Sequence, residues 1–276
     1  MHSLKTNPKV QFIFFLLLFF IVISFRIPLV QSFSILTICV SFSALADIVF
    51  TYVRKKTLFI PYSAVITGLI LSLVADPYAP WFQILVICVA AIGTKHFLKI
   101  TGRHMFNPAA IGLLTGWIIY GIHPSWWGPS LYTPGTFTVP NTIIFLSFLP
   151  LAFVSCYKYK RFYIVISFLF LFVILRLLIF PSTSLPSVFS LIISPGMVFY
   201  AVVMLVEPRT SPVGKSRQVL YGLFVALVLT VLVYVVGNSN PEINSYFPDL
   251  SIVSLLVGNL LFSDFCYNIL FLRGRV

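Results

Sequence analysis

The 276-residue chain is expected to be an all-α membrane protein, and three observations carry that expectation. Of its residues 59% are hydrophobic and only 9% are charged, so a water-soluble domain would expose too much apolar surface. Apolar runs of near twenty residues recur along the chain, the length at which a helix crosses a hydrocarbon core. Membrane strands would instead alternate apolar and polar residues. Basic residues, finally, gather in every second gap between the runs, which is how a membrane protein records its orientation.

In chain order the apolar segments lie at about 10–30, 33–53, 58–75, 81–98, 107–122, 141–157, 162–180, 187–206, 218–237 and 251–271. They are read as about ten transmembrane helices in a single transmembrane domain. Lys5 and Lys9 precede the first, and Arg54, Lys55 and Lys56 follow the second. Lys95, Lys99 and Arg103 follow the fourth, and Lys158, Lys160 and Arg161 the sixth. Arg209, Lys215 and Arg217 follow the eighth, with Arg273 and Arg275 after the tenth. Sixteen of the 18 basic residues thus fall in alternate gaps, which places those gaps and both termini in the cytoplasm. Arg26 and Arg176 are the exceptions, expected to snorkel at the outer boundary.

The net charge of +12 comes from these short clusters, so the expected partner is the lipid bilayer and not nucleic acid. No small-residue cleavage site follows the first run, where Ser24-Phe25-Arg26-Ile27-Pro28 stands. Cys39, Cys88, Cys156 and Cys266 are isolated in sequence. They lack zinc or iron–sulfur spacing and read as small buried hydrophobes, with no metal expected. In the 121–140 connection, Trp126, Trp127 and Tyr132 read as an interfacial belt or as a platform for a cofactor.

One phrase occurs twice. Leu73-Val74-Ala75-Asp76-Pro77-Tyr78-Ala79-Pro80 and Leu205-Val206-Glu207-Pro208-Arg209-Thr210-Ser211-Pro212 both read apolar, acid, proline, spacer, proline. An odd number of crossings separates them, as expected of an inverted-topology repeat whose halves cover about 58–122 and 187–271. Breaks are expected at matching places, at Thr67-Gly68 and Pro195-Gly196, and a short helix opens at Asn107-Pro108. Short or interrupted helices in corresponding positions point to a central site.

An ionisable group in lipid is costly and so a functional candidate. Asp47 lies within an apolar run. Asp76, Glu207 and Asp264 are expected on an ion path, the first two competing with a plain solvated helix end and Asp264 with a role in helix packing. Asn107 and Asn259 are expected to offer amides to a ligand or ion at the repeat interface, or else to cap and join helices. Lys95, Lys99 and Arg103 recur at i, i+4 and i+8 as one basic stripe, for phosphate or partner binding or as orientation signal alone.

The run Lys95-His96-Phe97-Leu98-Lys99-Ile100-Thr101-Gly102-Arg103-His104-Met105-Phe106-Asn107-Pro108-Ala109-Ala110-Ile111-Gly112 resembles a Lys-His … Gly … Phe-Asn-Pro-Ala-Ala … Gly signature. That signature belongs to the family of the B subunit of the sodium-pumping NADH:quinone oxidoreductase (Nqr) and the D subunit of the Rnf ferredoxin:NAD oxidoreductase. Ser63 to Leu73 is similar to that family's preceding helix, and Glu207-Pro208-Arg209-Thr210-Ser211-Pro212, with Lys215 and Tyr221-Gly222, to a later segment. The resemblance spans about residues 55–272.

It implies a membrane subunit of an ion-translocating electron-transport complex, with ten helices in the inverted-repeat arrangement of urea transporters. It also implies a bacterial inner membrane, partner subunits both membrane-bound and peripheral, coupling to Na+ or H+ movement, and a flavin. The subunit would not be an enzyme on its own, since nicotinamide chemistry would fall to a partner. Members carry FMN on a threonine of a Ser/Thr-Gly-Ala-Thr motif, but here the loop reads Tyr132-Thr133-Pro134-Gly135-Thr136-Phe137-Thr138. A flavin, FMN or riboflavin, is therefore expected to bind non-covalently. Asn107, Lys95 and Arg103, and more weakly Thr136, are the residues expected to hold it. The alternative is a non-redox channel or transporter for a small solute on the same scaffold.

Overall fold

The computed structural model describes residues 7–57, 59–100, 103–129, 141–180, 184–238 and 246–263. In that range α1 is Pro8–Ile23, α2 Leu29–Lys55, α3 Tyr62–Val74 and α4 Trp81–Phe97. Strands β1 (Lys99–Ile100) and β2 (Arg103–His104) follow, then α5 (Pro108–Tyr120) and α6 (Asn141–Phe153). The second half holds α7 (Phe162–Ile179), α8 (Leu185–Ile192), α9 (Pro195–Phe199), α10 (Lys215–Gly237) and α11 (Leu250–Leu261).

The helix starts are written locally. Asn7 accepts the Lys9 amide ahead of Pro8, Ser194 accepts that of Met197 ahead of Pro195, and Asp249 accepts those of Ser251 and Ile252. Each side chain satisfies amides that a helix leaves without partners, and proline is favoured where no amide is needed.

The fold is that of an all-α membrane protein. Among the described residues four stretches, Pro8–Arg26, Leu29–Lys55, Phe162–Ile179 and Lys215–Gly237, are long and apolar enough to cross a bilayer. A fifth is formed by α8 with the chain Pro195–Met204, bent by 53°. The other apolar helices are shorter than the near-twenty residues expected. Helices α3 and α5 have 13 residues each and rise about 20 Å, against a hydrocarbon core of about 30 Å. Prolines bracket them: Pro61 and Pro77 flank α3, and α5 opens on Pro108.

The chain divides into two compact units. The first comprises Met1–Leu98 and Pro108–Val154. Within it α1 buries Phe12, Leu16, Phe19, Phe20 and Ile23, and Phe19 meets Phe148 of α6 with ring centroids 4.6 Å apart. Helix α3 runs unbroken through Thr67-Gly68, contrary to the expected interruption. The glycine is there for proximity: a Cβ on Gly68 would lie 2.7 Å from the Cys39 carbonyl oxygen and 2.8 Å from Val40 Cα. Small residues let membrane helices approach in this way.

Two further expectations are corrected in this unit. Arg26 does not snorkel. It is buried, and its Nη1 donates to the Gly128 carbonyl at 3.3 Å. Trp127 is no interfacial residue either, being buried with its indole N–H donating to Ser72 O at 2.8 Å. Cys39 and Cys88 are buried, as expected, and Cys88 Sγ lies 3.7 Å from the Cys39 carbonyl oxygen, joining α4 to α2.

The second unit comprises Lys99–Asn107 and Ser155–Val276. Helix α7 lies along α10, where a Cβ on Gly222 would sit 2.6 Å from Ile164 O. Tyr200 and Ser254 share a buried hydroxyl hydrogen bond of 3.0 Å. The expected basic stripe does not exist, because α4 ends at Phe97 and Leu98 leaves helical geometry. Lys99 and Arg103 instead stand on an antiparallel hairpin, Lys99 opposite His104 and Ile100 opposite Arg103. The sequence Ile100-Thr101-Gly102 is poor in helix formers, so an i, i+4 spacing there carries no helical meaning.

Candidate functional site

In the second unit the broken helix sets the geometry. The chain leaves α9 through a π-type turn, Tyr200–Met204, closed by the Leu205 amide donating to Tyr200 O at 2.9 Å. Such widening frees carbonyls from the helix ladder. That of Met204 accepts Asn107 Nδ2 at 2.9 Å. The Asn107 amide donates to Asn259 Oδ1 at 2.8 Å, and Asn259 Nδ2 donates to the Tyr221 hydroxyl at 2.8 Å. Asn107 is 2% exposed and Asn259 is fully buried. Four residues far apart in sequence therefore form one buried polar chain, whose cost in an apolar medium is offset by the bonds made.

Beyond it the chain turns at Glu207-Pro208. The Glu207 carbonyl accepts the amides of Thr210 and Ser211 at 3.2 and 2.9 Å, and the Ser211 hydroxyl at 2.7 Å. Two arginines converge on this turn. Arg161 donates from Nη2 to Pro208 O at 3.2 Å and from Nε to Ser211 Oγ at 2.8 Å. Arg103 Nη2 lies 3.3 Å from both Pro208 O and Ser211 O. Gln218 steadies the approach, donating to Lys160 O at 2.9 Å. Burial, and then the neighbouring Arg103 charge, pull the Arg161 pKa down. Burial, and then the Glu207 charge, push the Tyr159 phenol up to about 12. A cleft opens beside the turn, lined among others by Arg103, His104, Arg209 and Thr210.

The first unit holds the other candidates. Asp76 makes its own turn, with Oδ1 accepting the Tyr78 amide at 2.9 Å and its carbonyl that of Ala79 at 3.2 Å. Lys95 is buried and donates to Ser63 O at 2.8 Å and Ser63 Oγ at 3.2 Å, tying α4 to α3. Beside it His96 Nε2 lies 2.6 Å from Asp47 Oδ1, while Arg54 Nη1 reaches the His96 carbonyl at 2.5 Å.

Of the expected site residues, Asn107, Asn259, Arg103 and Glu207 belong to the second unit, Asp76 and Lys95 to the first. Asn107 and Asn259 are hydrogen-bonded directly. Tyr132, Thr136, Asp264 and Cys266 lie outside the described residues. Sequence reasoning passed over the partnership of Asp47 with His96, although an acid inside an apolar run and a Lys-His pair were its visible signals. It also left unread the bonds of Arg161, whose guanidinium is only 6% exposed and holds the 208–211 turn.

Lys95 and Asn107 do not fit as flavin ligands, since both are buried with donors committed to Ser63 and to Met204. Arg103 lines an open cleft and keeps more of its surface available.

Residues 3–134 match the NQR2, RnfD, RnfE family. Over that stretch the chain is similar to this family. The match includes Asp76, Lys95, Arg103 and Asn107, whereas the Glu207 turn lies beyond it. Among the relatives is the D subunit of the ion-translocating oxidoreductase complex of Actinobacillus succinogenes, 32% identical over 116 residues, or 39% of this chain and 32% of that one. The D subunit from Mannheimia succiniciproducens is 33% identical over 118 residues, 40% of this chain and 33% of that one. That from Ectopseudomonas mendocina is 34% identical over 67 residues, 24% of this chain and 20% of that one. The similarity thus spans at most about a third of the length of these relatives.

Proposed function

We propose that the chain is a membrane subunit of an ion-translocating electron-transport complex of the Rnf/Nqr type. The observation that carries this is the family match over residues 3–134, joined to relatives named as D subunits of ion-translocating oxidoreductase complexes. The protein resides in a bacterial inner membrane beside membrane-bound and peripheral partners. It crosses ten times, in the inverted-repeat manner of urea transporters, and both termini are cytoplasmic. The alternating basic gaps support that orientation. Reporter fusions at the C-terminus and in the 238–250 loop will then report opposite sides; the same side for both would break the ten-crossing reading.

Within this reading the acids Asp76, Glu207 and Asp264 line the path of Na+ or H+. Asn107, bonded to Asn259, takes up the Met204 carbonyl at the end of the π-type turn Tyr200–Met204, and carbonyls at helix ends meet ions in transport folds. A flavin held by this protein is bound without a covalent link, because the threonine motif is missing around Thr136. When bound, it would supply one-electron transfer. Affinity purification from mild detergent, with a visible spectrum, tests the whole. We expect redox partner subunits in the eluate and a flavin released by acid. A colourless chain that purifies alone and conducts a small solute would overturn the proposal. A fluorescent band on a denaturing gel, abolished by Thr136→Ala, would overturn the non-covalent assignment alone.

A further inference from the structure

We propose that the cleft beside the Glu207-Pro208 turn is a binding site for a phosphate group. Its walls include Arg103, His104, Arg209 and Thr210. Guanidinium groups match phosphate oxygens in both charge and fork geometry.

Basic side chains gather at the turn. Arg103 and Arg161 both donate to Pro208 O, and Arg209 is the next residue along. Against these three guanidiniums, Glu207 is the carboxylate at the turn among the described residues. Asp249, the other described acid of this unit, caps α11 through the Ser251 and Ile252 amides. Burial, and then the Arg103 charge, lower the Arg161 pKa.

The turn also fixes the geometry. Arg103 is anchored by one nitrogen to Pro208 O and Ser211 O, so its fork is held in place before a ligand arrives. Thr210 and Ser211 are locked onto the Glu207 carbonyl, which sets the backbone from which the exposed Arg209 projects. Preorganised donors bind at lower entropic cost than free ones.

A phosphate can come from a phospholipid headgroup or from solution, and two arms separate these. In the first, the protein is reconstituted into nanodiscs of phosphatidylcholine with or without phosphatidylglycerol, and retained lipid is measured by native mass spectrometry. In the second, binding of radiolabelled inorganic phosphate to detergent-solubilised protein is measured by equilibrium dialysis. Occupancy in either arm is expected to fall roughly tenfold in Arg209→Gln, the loss of one charge-assisted contact. Arg209 is exposed, so this variant should fold as the parent does. Arg103→Lys, which keeps the charge but loses the fork, is expected to weaken binding as well. Retention confined to the first arm assigns a headgroup, and binding in the second assigns a soluble phosphate. No saturable binding in either arm, or binding unchanged in both variants, overturns the proposal.

Discussion

The two acid–proline turns are written alike and held differently. At Asp76-Pro77 the acid's carbonyl accepts the amide three residues on, and at Glu207-Pro208 it does the same. The proline carbonyl then meets a side chain in both. Pro77 O accepts Gln31 Nε2 at 2.8 Å, whereas Pro208 O accepts Arg103 and Arg161. The helix end before each turn also differs. The carbonyls of Leu73 and Val74 are taken up by main-chain amides of Gly128, Ser125 and Trp126, while that of Met204 is taken up by the Asn107 side chain. One turn is closed by neutral backbone and amide groups, the other by guanidiniums and a buried asparagine. A repeated phrase therefore specifies the turn, and its surroundings specify the electrostatics.

Removing an arginine should separate the two turns most. Arg161→Ala takes two charge-assisted bonds from the 208–211 turn, and we expect a loss of about 3 kcal/mol. Thermal unfolding of the purified protein in detergent measures it. Arg161→Lys should recover little, since an ammonium cannot reach Pro208 O and Ser211 Oγ as a fork does. A full rescue by lysine would mean that charge alone matters there.

Asn259→Ala comes next, at about 2 kcal/mol, because the buried Asn107 amide and the Tyr221 hydroxyl each lose a partner. The same variant, assayed for ion-coupled electron transfer, sharpens the comparison. If it inserts normally and keeps full activity, the asparagine chain is scaffold and no part of an ion path.

At the neutral turn the matching change should be small. Gln31→Ala removes one uncharged bond to Pro77 O and is expected to cost about 1 kcal/mol. A loss equal to that of Arg161→Ala would erase the distinction between the turns.

The smallest effect is a titration. The Tyr159 phenol, ordinarily near 10, is pushed up to about 12. Its folded pKa lies above the unfolded one, so the preference for the neutral form is complete below pH 10 and is lost as pH rises through about 12. Ultraviolet titration should lose this phenolate step in Tyr159→Phe. Glu207→Gln should move the step down, because the carboxylate is the second cause of the shift. An unmoved step would mean burial acts alone.

Much of the fold was legible because membrane segments announce themselves by composition. Each apolar run foreseen along the chain contains a helix, and the prolines and cap residues that bound them are local signals. The failures have a common origin in reading partners from spacing. Lys95, Lys99 and Arg103 look like one helical stripe until α4 stops at Phe97. Arg26 and Trp127 look like boundary residues, and only the 125–128 segment packed against α3 turns them inward. Asn107 and Asn259 both stand out in the sequence, yet their bond joins residues 152 positions apart.

By itself the sequence determined that the chain is an all-α membrane protein, where its helices start, and where the two acid–proline turns lie. Those properties follow from side-chain hydrophobicity, proline geometry and capping, which act within a few residues. Only the tertiary structure decided which arginines are structural, which carbonyls the asparagines satisfy, and that a basic cleft opens at one of the turns. These depend on which distant groups meet once polar atoms must find partners away from water, and no local pattern encodes that choice.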